Sequence, residues 1–482
     1  MGRRIMGPFN RVEGDLEVDL DIQQGQVASA QVSSSLYRGF EQILQGKEPW
    51  DALVYTPRIC GICSVSQSVA AARALADAQG LSATTNGDLA INLILANENI
   101  ADHLTHFYLF FMPDFARQTY SKESWYPLVA ERFTAQTGSA TRELLPARAQ
   151  FMHLMGLLAG KWPHSLAIQP GGTTRSVEMQ EKARIQAILY GFRQFLQTKL
   201  FGDNLENIVA LDSIQSLEQW RADHKADSSD FSLFLELADQ LHLSRLGRAG
   251  DRFMSYGAYV LNGSPTFKQG VWDDGIQTLD TQTITEDISH SWMGHQKDPK
   301  HPFNGITLPD AEIEQAYTWC KAPRLNGRVM EVGALARQQI DGHPLIRELV
   351  LHSGGNVQNR VIARLLEIAR GVMLMEEWVR AIKPKDPFCN HNAMPKETQG
   401  YGLVEAARGS LGHWIKIKRG RILNYQIIAP TTWNFSPRDN QDQPGALELA
   451  LQGAKMREGE SEPVSVQHIV RSFDPCMVCT VH

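Results

Sequence analysis

Cysteine is scarce in this chain: 6 residues in 482, four of them in two Cys-x-x-Cys pairs. That is too few for a disulfide scaffold and fits metal or redox chemistry in a reducing compartment. Long apolar runs are also missing. The densest stretch, FYLFFMPDF, is broken by Pro113 and Asp114, well short of the ~18 residues a membrane span needs, so direct membrane insertion is not expected. There is no excess of positive charge, the net value being -6, and no local cluster of Lys and Arg reverses it. Nucleic acid is therefore not an expected partner. A twin arginine, Arg3-Arg4, is not followed by an apolar export segment, which points to a cytoplasmic protein.

What is present is a large globular composition, 43% hydrophobic and 21% charged. It shows no internal repeat, low-complexity segment or long flexible linker. From Val12 the apolar residues nearly alternate, a turn falls at QQGQ, and VASAQVSSSLY resumes the pattern, predicting a hairpin with Glu13 at its entrance. Helical spacing predicts helices over Cys63–Gln79, closed by Gly80, and from Asn86 to just before Pro113, the two packing together. Further helices are predicted around 177–199, 231–241, 357–382 and 446–455, and strands over 253–261 and 402–428. The predicted fold class is mainly α with small antiparallel β-sheets (α+β). We read 1–482 as a single domain, with an N-terminal hairpin region (1–59), a helical core (60–250), a peripheral and helical region (251–400), and C-terminal strands with a metal-binding tail (401–482). HKADSSD (224–230) and the segment 280–309 are predicted surface excursions.

The two thiol pairs are RICGICS (58–64) and DPCMVCTVH (474–482). By ligand type alone four sulfurs suit zinc, an iron-sulfur cluster or a nickel site. Zinc modules bring their pairs from one compact segment, whereas nearly the whole chain separates these. A terminal Cys-x-x-Cys followed by histidine also reads as anchored, because a fraying tail would leave its thiols exposed to oxidation. Cys320 and Cys389 read as ordinary buried thiols, too few for an iron-sulfur cluster of the chain's own. GKWPH lacks the glycine and Ser/Thr pattern of a phosphate loop, so nucleotide binding is not supported.

Both pairs, together with RVEGD (11–15), YRGFE (37–41), DHLTHFY (102–108), GKWPHSLAIQPGG (160–172), KAPRLNGRVMEVGALAR (321–337), EAARGSLGHW (405–414) and APTTWN (429–434), resemble in order the motifs of the large, catalytic subunit of nickel-iron hydrogenases. The resemblance spans the chain. It implies reversible heterolytic splitting of dihydrogen. Cys60 and Cys476 would be terminal nickel ligands, and Cys63 and Cys479 would bridge to an iron carrying carbon monoxide and cyanide. Dihydrogen is a weak neutral ligand, so cleaving it takes a metal with a free position and a nearby base for the proton.

By the same resemblance Arg408 overhangs the metal positions, held by Asp102 and Asp474, and Glu13 moves the proton. Glu41, His482 and a backbone carbonyl near Ile428 would bind Mg2+. Electrons would leave through an iron-sulfur small subunit in a heterodimer, or in a dimer of heterodimers. The ending at His482 corresponds to the family's mature form, after a maturation endopeptidase has cut. Ile62 and Phe110 replace the family's usual Val and Leu where its gas tunnel narrows. With the missing export segment, they make the chain most similar to the cytoplasmic hydrogen-sensing branch that controls a sensor histidine kinase. An energy-conserving uptake enzyme is the alternative within the family; a metal-free respiratory quinone-reductase subunit and a zinc-stabilised binding module are the alternatives outside it. Ala407 and Ala334 stand where the family usually has proline, which loosens the expected pose of Arg408.

Overall fold

The computed structural model describes residues 2–294, 296–456, 460 and 463–482. At the N-terminus, strands β1 (Gly2–Met6), β2 (Leu16–Gln23) and β3 (Gln26–Ser34) form an antiparallel sheet in that order. The predicted hairpin is β2–β3. Leu16, Val18 and Leu20 turn inward, and Gln24 and Gly25 (φ 51° and 74°) make a two-residue turn with both residues left-handed. Strand β1 was not predicted: its run, Gly-Arg-Arg-Ile-Met, has no alternation, and pairing with β2 alone defines it.

The interior is helical. Helix α1 (Ser64–Ala78) ends in a Schellman turn, with Leu81 N–H on the Ala76 carbonyl at 2.9 Å and Gly80 at φ 61°. Helix α2 (Thr85–Thr105) is capped by Thr84, whose hydroxyl accepts the Gly87 N–H at 3.0 Å. It packs against α1, α3 (Ser139–Ala159) and α5 (Val357–Ala381), while α4 (Met179–Phe195) packs against α3 and α5. Nearly all of α2 is buried, polar Asn92, Asn97, Glu98, Asn99, Asp102 and His103 included. Buried polar groups need partners, so this helix marks where the molecule places its chemistry.

The C-terminal third adds the meander β4 (Thr398–Ala406), β5 (Gly409–Lys418) and β6 (Arg421–Ile428), then α6 (Val464–Ser472) and α7 (Met477–Thr480). Sheet and helix come close because α1 offers Ala70, Ala74 and Ala78 to Gly400 and Gly402 of β4, positions where an added Cβ would strike the α1 backbone. The class is as predicted, mainly α with small antiparallel sheets. No helix among the described residues is long and apolar enough to cross a membrane.

Three expectations need correction. The helix after Asn86 is regular only to Thr105; a π-helical turn (His106–Phe111) and a 3-10 turn (Met112–Ala116) follow. The helix starting at Ala446 stops at Leu451. The segment 280–309 is no surface excursion. Ile284–Asp287 pairs with Ala322–Leu325, and Ser291, Met293 and Thr307 are buried. Their polar groups are satisfied inside, Ser291 Oγ donating to the Cys320 carbonyl at 2.5 Å.

Candidate metal centre

Cys60 lies in the loop before α1, Cys63 is the residue that caps α1, and Cys476 and Cys479 frame the single turn of α7. Near-opposite ends of the chain thus meet. All four sulfurs lie within 4.8 Å of one another and are buried, the one such group of potential metal ligands among the described residues. Sγ–Sγ separations are 3.5 Å for Cys60–Cys476, 3.0 Å for Cys63–Cys479 and 3.1 Å for Cys476–Cys479. Hydrogen bonds from Cys476, Cys479 and Cys63 hold Cys60 well below the usual thiol range. Cys63 is pushed well above it by its bonds to Cys476, Cys479 and Cys60, and Cys479 by burial. Four buried sulfurs this close together repel one another as thiolates, and ionising them together calls for a multiply charged cation among them. Soft, buried, electron-rich and short of positive charge, this donor set fits a thiophilic transition metal.

Arg408, on the turn between β4 and β5, lies buried between two carboxylates. Its Nη1 donates to Asp102, Nη2 to Asp474 Oδ1 at 3.0 Å, and Nε to the Asp474 carbonyl at 2.8 Å. One guanidinium shared by two acids keeps one of them clearly ionised. Burial pushes Asp474 up, but Arg408, His106 and Arg364 outweigh it and hold it low. Asp102 is pushed up by burial. The substitution Ala407 does not leave Arg408 loose. Arg337 donates to the carbonyls of Ala406 and Ala407 at 2.7 and 3.0 Å, and is itself fixed by Glu367 and Glu405. Ala334 opens a helix (Ala334–Asp341), the position where proline is common but not needed.

Glu13 is half-buried and its backbone clasps the tail: Met477 N–H donates to the Glu13 carbonyl at 2.7 Å and Glu13 N–H to the Pro475 carbonyl at 3.4 Å. At the next residue, Gly14 (φ 81°), an added Cβ would lie 3.1 Å from both Met477 Cβ and Val478 N. Only glycine combines that conformation with that proximity. Burial, and next the charge of Cys60, push the Glu13 carboxyl up, against Arg408 and Arg38. It is an acid poised beside the thiols.

Ile62 is half-buried over the site, its N–H on Cys60 Sγ at 3.3 Å. Phe110 is also half-buried, but in the π-helical turn, where its carbonyl accepts Arg11 Nη1 at 2.9 Å. Its neighbours Phe107 and Phe111, rather than Phe110 itself, fill the core. His103 and His106 are each taken by structure, His103 Nε2 by Glu367 at 3.1 Å and His106 Nε2 by the Arg471 carbonyl at 2.6 Å.

A second pocket holds the last residue. His482 Nδ1 donates to the Cys479 carbonyl at 3.0 Å, which turns Nε2 toward Glu41 Oε1 at 3.2 Å. Lys321 Nζ reaches Glu41 Oε2 at 3.0 Å and Gln426 Oε1 at 2.8 Å, and Thr307 also donates to Glu41. Burial drives the Glu41 carboxyl up, yet Lys321, His482 and Thr307 together hold it at about 2. Burial lifts the nearby Glu286 to about 7. The strand residue that faces this pocket is Ile427, not Ile428: Ile427 N–H donates to Glu41 Oε1 at 2.8 Å, and successive strand residues turn their polar groups to opposite sides. The cavity among these groups is about 10 Å³, room for one water or a small ion. Its oxygen and imidazole donors suit a hard cation, with Lys321 already supplying one positive charge.

The family described as nickel-dependent hydrogenase matches residues 38–142 and 139–482, both thiol pairs included. The chain belongs to the nickel-dependent hydrogenases. It is similar to the periplasmic [NiFeSe] hydrogenase large subunit of Desulfomicrobium baculatum, 28% identical, with 98% of this chain and 94% of that one covered. It is likewise 28% identical to the uptake hydrogenase large subunit of Rhodobacter capsulatus, covering 100% and 95%. Its fold superposes on the reduced Ni-Fe-Se hydrogenase of D. vulgaris Hildenborough with a TM-score of 0.84, 27% identity and full coverage of both chains. This is a hydrogenase large subunit, an oxidoreductase.

In this hydrogenase several residues of the site escaped the sequence reading. Arg38 Nη2 bonds the Ile59 carbonyl at 2.5 Å and also the Val478 carbonyl, stapling the residues that precede Cys60 and Cys479. Thr431 Oγ1 accepts the Cys476 N–H at 3.1 Å, and Thr432 Oγ1 donates to the Thr480 carbonyl at 3.1 Å. YRGFE and APTTWN carry these residues, but no spacing in one sequence says which carbonyl they meet. Glu98, pushed up to about 7 by burial, sits one helical turn before Asp102. An acid on the same apolar face, four residues away, is the signal that could have found it.

Proposed function

We propose that this hydrogenase subunit splits dihydrogen heterolytically at a nickel-iron centre held by Cys60, Cys63, Cys476 and Cys479. The observation that carries this is four buried sulfurs drawn together beneath an arginine clamped by two carboxylates. When bound, the centre supplies an open coordination position and a change of oxidation state. The protein's part is proton handling and exclusion of water. Glu13 lies beside the thiols with its affinity for protons raised, so it is the group that takes the proton onward. Arg408, anchored through Asp102 and Asp474, presents fixed positive charge over the sulfurs. Carbon monoxide and cyanide on the iron, and Mg2+ between Glu41, His482 and the Ile427 carbonyl, complete the reading.

Electrons leave to an iron-sulfur small subunit in a heterodimer or a dimer of heterodimers, since no further cysteine cluster is present among the described residues. We assign the assembly to the cytoplasm and count a maturation endopeptidase among its partners. There it would sense dihydrogen and report to a histidine kinase, a role supported by the bulk of Ile62 over the site. The rival role, energy-conserving uptake, has support in the uptake and periplasmic relatives. Elemental analysis and infrared spectroscopy of the purified heterodimer test the chemistry: nickel and iron with carbonyl and cyanide bands are expected, and zinc alone, or no metal, would sink it. Copurification from the native host tests the role, a kinase favouring sensing and a membrane cytochrome uptake.

A further inference from the structure

Helix α1 begins at Cys63, which caps it, yet the Cys63 side chain makes no capping bond. At that position a side-chain acceptor ordinarily takes the N–H of the second or third helical residue. A cysteine there would turn its sulfur onto those N–H groups, where the helix terminus stabilises a thiolate. In this protein another residue has taken them. Glu98, from the middle of α2 and buried, accepts the Val65 N–H on Oε2 at 2.8 Å and the Ser66 N–H on Oε1 at 2.9 Å. The Ser66 hydroxyl adds a bond at 3.1 Å and the Ser64 hydroxyl one at 3.5 Å. The indole N–H of Trp162, at 3.0 Å, fixes the carboxyl from the far side. Cys63 Sγ instead faces Cys479 Sγ.

We propose that Glu98 is a positioning residue for Cys63: by occupying the free N–H groups of α1 it keeps that sulfur's electron pairs for the metal. The inference rests on the nickel-iron reading above. A thiolate that accepts a backbone N–H donates less charge to a metal, and partners one step beyond the ligands commonly set metal affinity and electronics. Gln in place of Glu98 offers a single acceptor oxygen and turns an NH2 toward the other amide. One N–H is then free for Cys63.

The test uses the intact heterodimer and compares the native protein with Glu98→Gln, Glu98→Asp and Glu98→Ala. Readouts are nickel per large subunit, the g-values and midpoint potential of the nickel signal, and the melting temperature. In Glu98→Gln and in Glu98→Asp, whose shorter side chain cannot reach both amides, nickel should be retained, with shifted g-values and a higher midpoint potential. In Glu98→Ala, nickel loaded at limiting concentration should fall about tenfold. Native g-values and potential in the Gln and Asp variants would overturn the proposal, whatever the melting temperature, leaving Glu98 a helix cap and no more; unfolding of both variants would do the same. A native protein without nickel would instead overturn the nickel-iron reading itself.

Discussion

The tail from 476 to 482 serves two pockets of opposite character. At Cys476 and Cys479 it contributes soft sulfur to a site whose anions outnumber its cations, with Arg408, among the described residues, the one cation hydrogen-bonded to its acids, Asp102 and Asp474. At His482 it contributes a nitrogen to a site the protein has largely neutralised, where Lys321 faces both Glu41 and Glu286. Buried charge is costly unless paired. The first pocket is therefore built to await a metal, while the second is closed in good part by the chain's own ammonium. One stretch of backbone thus couples a site that depends on its ion to one that depends on it much less.

The comparison breaks most sharply at the sulfurs. Cys479→Ser replaces a soft ligand with a hard, poorly ionised hydroxyl, and we expect loss of nickel and iron below about a tenth of the native content; an intact infrared spectrum would remove Cys479 from the ligand set. Next comes the proton path. Glu13→Gln keeps the shape and cannot carry a proton, so exchange of dihydrogen with solvent deuterium should fall by about 10²-fold or more at unchanged metal content. Unaltered exchange would move the role elsewhere, Arg408 first.

The tail pocket should respond in stability rather than in chemistry. Glu41→Gln leaves Lys321 with Glu286 as its remaining carboxylate partner and should cost about 1–3 kcal/mol, read by denaturant unfolding, while pairing it with Lys321→Met should recover part of that loss. Because the folded Glu41 lies near 2, below its unfolded value of 4.5, its contribution is complete above about pH 4.5 and fades as the pH falls toward 2. An unfolding free energy with no acid limb attributable to Glu41 would show that the pocket is not neutralised as described. The smallest effect belongs to the apolar wall: Ile62→Val should cost under about 1.5 kcal/mol, and it should speed dioxygen binding without moving the anaerobic infrared bands. Equal dioxygen rates would end the steric account.

How far the sequence was legible follows the range of the interaction involved. Helix α1, with Gly80 just past its end, and α5, with Asn356 accepting the Asn359 N–H at 2.9 Å, carry their own start and stop signals. So does the Gln-Gly turn of the N-terminal hairpin. The cysteines, Arg408 and its two acids were found through motifs. What stayed hidden is what distant chain segments decide: strand β1, α3 with Pro146 inside it, the burial of 280–309, and the one-residue choice between Ile427 and Ile428. That last error is instructive, since a slip of one along a strand reverses which side every polar group faces.

The backbone clasp between Glu13 and residues 475–477 also governs the order in which the molecule can form. Its halves lie far apart in the sequence, and joining them closes a loop of nearly the whole chain, an entropic cost that must be met before any contact across it is gained. A nascent chain can therefore assemble α1 to α5 and still hold Cys60 and Cys63 with an open side. Until the tail arrives the site stays accessible; once the clasp shuts, four sulfurs, the proton carrier and the terminal histidine are sealed in a single event.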